Sequence, residues 1–70
     1  MKGVVIDLEQ KEIMVFPIPE RVIETSDWQD SIENIDAYLF GRANVPLNYW
    51  ETKCTFFILE DGEELKIKNY

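Results

Sequence analysis

Glu24, Asp27, Asp30, Glu33 and Asp36 fall between Val22 and Gly41, a stretch that contains no lysine, arginine or histidine. The chemistry open to such a row is electrostatic. Carboxylates that nothing neutralises attract a basic surface, speed its encounter and make the contact sensitive to salt. The whole chain leans the same way, with 14 acidic residues against 7 basic ones in 70 and a formal net charge of −7. A solvated helix face is the plainer account of these acids. A face that serves only solubility, however, commonly interleaves both signs for support between residues four apart.

Covalent chemistry is poorly supplied. Ser26, Ser31, Cys54 and Thr55 would each need a base to take a proton, and the chain contains no histidine. Cys54 is the one cysteine, which excludes an intramolecular disulfide, and on an inward-facing strand position a thiol behaves as a small hydrophobe. The densest group of oxygen donors is Glu60-Asp61-Gly62-Glu63-Glu64. A calcium loop of the EF-hand kind needs alternating donors over about twelve residues beside a helix, whereas this group reads as a solvated hairpin tip. There it shields Phe56-Phe57-Ile58-Leu59 from edge aggregation. Gly3, Gly41 and Gly62 are isolated and form no phosphate cradle. Lys53, Lys66 and Lys68 with Phe57 and Tyr70 offer a small basic stacking surface, but the net charge opposes a polyphosphate. The expectation is therefore no enzyme, no catalytic, cofactor-binding or metal-ligating residue, no cofactor and no direct contact with nucleic acid.

The acidic row is placed by a helix. Ser26 followed by Gln29 matches a capping box, and Trp28, Ile32, Ile35 and Leu39 share one sector at about 100° per residue, opposite Asp30 and Glu33. The pattern predicts a helix over about 27–40 with Gly41 as its C-terminal cap. Asp27 and Asp30 suit the positive end of the helix dipole, whereas Glu33 and Asp36 lie in the half where the dipole opposes them.

Strand formers flank that helix. Val4–Leu8 and Ile13–Ile18 read as a hairpin in which Leu8 faces Ile13, with Pro17 and Pro19 marking an edge. This pairing leaves Val5, Met14 and Phe16 on the face away from Leu8. Residues 42–48 read as a loop. Thr52–Leu59 and Glu64–Tyr70 flank Asp61-Gly62 as a second hairpin, with Cys54, Phe56, Ile58, Leu65 and Ile67 toward the helix and Phe57 and Leu59 on the reverse. Of the adjacent aromatics Tyr49 and Trp50, one is expected to cover an end of the sheet and the other to be partly exposed.

The sum is one α+β domain over residues 1–70 in β-β-α-β-β order, with a four-stranded, mainly antiparallel sheet and one amphipathic helix packed on one face. A chain of this length buries only about 60% of the surface its unfolded form exposes, so the core is small. Ile13–Pro19, the longest apolar stretch, is far shorter than the roughly 18–20 residues that cross a bilayer, and no secretory leader pattern is present. The unpaired cysteine points to a cytoplasmic protein without membrane contact.

The leading functional expectation is a small interaction module, inhibitor-like or antitoxin-like, that binds a protein with a basic surface through Asp27, Asp30, Glu33 and Asp36. The alternative is a homodimer formed through Val5, Met14, Phe16, Phe57 and Leu59 on the reverse of the sheet.

Overall fold

The computed structural model describes the backbone of residues 1–23 and 28–70 and the side chains of 1–23 and 31–70. The chain is a small α+β protein, with three antiparallel strands and two α-helices among the described residues. In order these are β1 (Lys2–Asp7), β2 (Glu12–Pro17), a 3-10 turn (Glu20–Val22), α1 (Trp28–Ala43), α2 (Leu47–Lys53) and β3 (Cys54–Leu59). The expected four strands and single helix are thus corrected to three strands and two helices. The spatial order is β2-β1-β3, with the first strand central.

The first hairpin forms with its pairing moved back by one residue on each strand, so that Ile6 rather than Leu8 faces Ile13. Asp7 sets this register. Its Oδ1 accepts from the Glu9 and Gln10 amides at 3.1 and 2.8 Å, a side-chain turn that ends β1 one residue early. Lys11 completes the reversal at φ 56, in the left-handed region. Pro17 lies on an edge strand, where a missing amide costs no ladder bond on the open side.

Gly3 decides which face of the sheet meets the helix. A Cβ on Gly3 would stand 2.6 Å from Leu39 Cδ2 and 2.7 Å from Cδ1, so Leu39 occupies the space that a side chain would fill. Residues that share the Gly3 face therefore face the core: Val5 flanked by Met14 and Phe56, and Gly3 flanked by Phe16 and Ile58. The core proper is Val5, Ile18, Ile35, Leu39 and Trp50. Of the expected stripe, Ile35 and Leu39 are completely buried, each worth about 1.5–3 kcal/mol, Ile32 is half-buried, and the Trp28 side chain lies outside the described residues. The guanidinium of Arg42 lies 5.7 Å from the centre of the Phe16 ring and covers it from the last turn of α1.

This geometry separates the five residues expected to form one dimer face. Val5 is fully buried and Met14 and Phe16 pack against the core cluster, while Phe57 alternates to the opposite side. The reverse face instead aligns Ile13, Ile6 and Thr55, then Val15, Val4 and Phe57, then Pro17, Lys2 and Leu59. The amphipathic reading had two apolar faces to choose from, and the glycine is what distinguishes them.

Two further expectations are revised. Gly41 lies within α1, which continues to Ala43, and Asn44 at φ 57 adopts the left-handed conformation that ends it. Beyond β3, the Asp61-Gly62 turn forms without a hairpin. The Glu63 amide donates to the Glu60 carbonyl at 3.0 Å, but the Glu60 amide donates to Glu63 Oε1 at 2.7 Å rather than to a backbone partner. Gly62 has φ 90 while Asp61 keeps a negative φ, a type II arrangement whose twist splays flanking strands. Residues 63–70 accordingly run exposed with no ladder bonds. The proposed Ser26 cap lies outside the described residues.

Candidate interaction cleft

The last two residues of the stretch read as a loop begin α2, a two-turn helix that starts after Pro46, carries Tyr49, Trp50, Glu51 and Lys53, and takes in Thr52 and Lys53, which had been expected to open a strand. Pro46 is extended, as a residue entering a helix must be, and its carbonyl accepts from the Trp50 amide at 2.9 Å to close the first turn. This helix turns Trp50 inward, where it is 7% exposed. Its ring stacks on Phe56 of β3 at 6.2 Å and 17°, and meets Phe40 of α1 at 5.9 Å and 48°.

An indole buried this deeply needs an acceptor for its N–H. Asp36 supplies it: Trp50 Nε1 donates to Asp36 Oδ1 at 2.7 Å, tying α2 to α1. One acid of the unpaired row thus has a structural partner that is not a base.

Between α1, α2 and the start of β3 lies an open cleft of about 490 Å³. Its floor is apolar, formed by Phe40, Trp50 and Phe56, with the exposed Leu47 also lining it. Glu33, Asp36 and Glu51 stand around it, and among the described residues that line it there is no lysine or arginine. Cys54 also lines the cleft. Burial pushes its thiol above the ordinary cysteine range, with the nearby Asp7 carboxylate adding to the shift, so it stays protonated and poorly nucleophilic.

A second polar group is built on Tyr49, the neighbour of Trp50 in α2. Both carboxylate oxygens of Asp7, a buried residue, accept from the Tyr49 hydroxyl, at 2.7 and 2.8 Å. The Gln10 amide and then the Tyr49 hydroxyl hold the Asp7 carboxyl below its usual range, and the same bond pushes the Tyr49 phenol up to about 12. Beside it, the Leu8 amide donates to the Lys53 carbonyl at 2.9 Å. This cluster fastens α2 to the first hairpin and so fixes one wall of the cleft.

Of the four acids expected to bind a partner, Glu33 is exposed at the cleft and Asp36 is half-buried there, joined to Trp50. Asp30 lies on α1 with its side chain outside the described residues, and Asp27 lies outside them altogether. Sequence reading missed Glu51 and the apolar floor. The available signal was the Leu47–Lys53 stretch following a proline, which reads as a short helix once Pro46 is taken as its entry residue. Tyr49 is half-exposed, as expected of one of the pair, while Trp50 is buried in the core against Phe56.

Among the described residues no cluster of potential ligands suits a metal ion, and no helix is long and apolar enough to cross a membrane. Comparison with family models, curated proteins and solved structures gives no match.

Proposed function

We propose that this protein is a non-enzymatic interaction module whose cleft receives a basic side chain from a partner protein. The observation that supports this reading is the convergence of Glu33, Asp36 and Glu51 over an apolar floor containing Trp50 and Phe56. Such a site suits a lysine or arginine with an apolar neighbour. The aliphatic stem and the neighbour cover the floor, and the cationic head reaches the carboxylates at the rim. Water withdrawn from the rim strengthens the charge interaction, whereas the exposed part of the contact remains sensitive to salt.

The site is not an aromatic box closing on a cation from several sides. Trp50 and Phe56 stack on one another and Trp50 is largely buried, so these rings supply a floor rather than separate walls. Selectivity then comes from the carboxylates, and a partner whose basic surface otherwise holds an acidic polymer would be blocked while occupied. Charge reversal at Glu33 and Glu51 tests this directly. Glu33→Lys with Glu51→Lys abolishes capture of a lysine-rich peptide at low salt. Undiminished capture by the folded double variant contradicts the proposal.

A further inference from the structure

Among the described residues the outer edge of β3 is unpaired, because the spatial order β2-β1-β3 leaves this strand at the border of the sheet. The other border is defended. β2 begins with Glu12, ends with Pro17 and is followed closely by Pro19, features that discourage a further strand. β3 reads Cys-Thr-Phe-Phe-Ile-Leu, without a charge, proline or glycine. An undefended apolar edge of this kind is a template for strand addition.

The same molecule carries a strand-forming segment with no partner. Leu65 and Ile67 alternate with Lys66 and Lys68, and the stretch from Glu64 onward is exposed and joins no strand among the described residues. It cannot zip onto its own β3 through the adjoining turn. The type II geometry at Asp61-Gly62 and the capture of the Glu60 amide by Glu63 Oε1 remove the reciprocal bond from which a two-residue hairpin would propagate. At about 3.3 Å per residue, residues 63–70 reach roughly 26 Å, ample to run alongside the roughly 20 Å of a six-residue strand.

We propose that the open edge of β3 is completed by Leu65–Lys68 of a second copy of this chain, in a reciprocal exchange about a two-fold axis. Each copy donates one segment and receives one, so a contact of this kind closes as a dimer rather than growing into a fibre. Two copies of net charge −7 repel overall, and Lys66 and Lys68 place the positive charges of the donated segment at the contact, where they offset part of that repulsion. Backbone bonds along the edge provide the affinity, and alternate side chains set the register.

Sedimentation of the whole chain from micromolar to millimolar concentration tests the exchange, together with a sample mixing isotope-labelled and unlabelled copies. The expected result is a monomer–dimer equilibrium with through-space contacts between Ile67 of one copy and β3 of the other. Ile67 is 73% exposed, so Ile67→Pro removes a ladder position without disturbing the core, and it returns the protein to monomer. A monomer at every concentration overturns the proposal. So does a dimer indifferent to Ile67→Pro, or contacts from Ile67 that arise only within one copy.

Discussion

Trp50 Nε1 donates to Asp36 Oδ1 at 2.7 Å, so the acid with the least local reason to sit in the second half of α1 is the acceptor for a buried indole. The bond shapes the cleft as well as the core. It holds the floor residue against α1, beside a cleft that Glu33 and Glu51 also line.

Removing the acceptor leaves the indole N–H buried without a partner. Asp36→Ala is expected to cost about 1.5–3 kcal/mol, the range for losing a hydrogen bond to a charged group. Glu33→Ala, at an exposed position, is expected to stay within about 0.5 kcal/mol of the parent. Urea unfolding of the two variants separates a structural acid from one free to serve a partner.

Gly3→Ala is expected to destabilise by about 1–3 kcal/mol, because its new methyl meets both Leu39 methyls at less than contact distance. Leu39→Ala alone opens a cavity costing about 2–5 kcal/mol. The double variant should lose less than the sum of the two, since each change vacates or fills the space of the other. A double-mutant cycle of unfolding free energies reads this coupling, and strict additivity would contradict the packing described.

The Asp7–Tyr49 pair predicts two arms in the pH profile of stability. Asp7 has a folded pKa below its ordinary 3.8, so its contribution is complete above that value and is lost as pH falls through the lower folded value. Tyr49 has a folded pKa raised from 10.0 to about 12, so its contribution is complete below 10.0 and fades as pH rises toward about 12. Tyr49→Phe should flatten the alkaline arm and shrink the acid arm, as measured by the urea midpoint across pH relative to the parent.

Lys11 adopts φ 56 in the first hairpin loop, where a side chain is strained and glycine is not. Lys11→Gly is therefore expected to raise stability by up to about 1 kcal/mol, and an unfolding curve shifted to lower denaturant would count against the loop geometry.

Much of the architecture was legible where a pattern had only one physical solution. Ile35 and Leu39 lie at helical spacing and are both fully buried, and the two prolines after Phe16 do place β2 at an edge. What escaped depended on contacts between distant residues. Both faces of the first hairpin are apolar, and only the close approach of Leu39 to Gly3 selects the one that packs. The α2 helix is seven residues long and its entry residue makes no side-chain capping bond, so its stability comes from burying Trp50 and from the Asp7–Tyr49 bond. Asp-Gly promised a tight hairpin, but a negative φ at Asp61 and the Glu63 side chain divert the chain. Of the acidic row, Glu33 and Asp36 do reach one cleft, and the residue that completes it, Glu51, lies on an element the sequence pattern did not announce.

The central claim is that the cleft between α1 and α2 binds a basic side chain. The most direct measurement follows the Trp50 indole N–H resonance, which reports the bond to Asp36 at the cleft floor, during titration with a short lysine-containing apolar peptide and a matched glutamate peptide. The lysine peptide should shift that resonance in a saturable manner that weakens as salt is raised, and Glu33→Gln with Glu51→Gln should suppress the shift. A Trp50 resonance unmoved by the lysine peptide at low salt, or moved equally by the glutamate peptide, would contradict it.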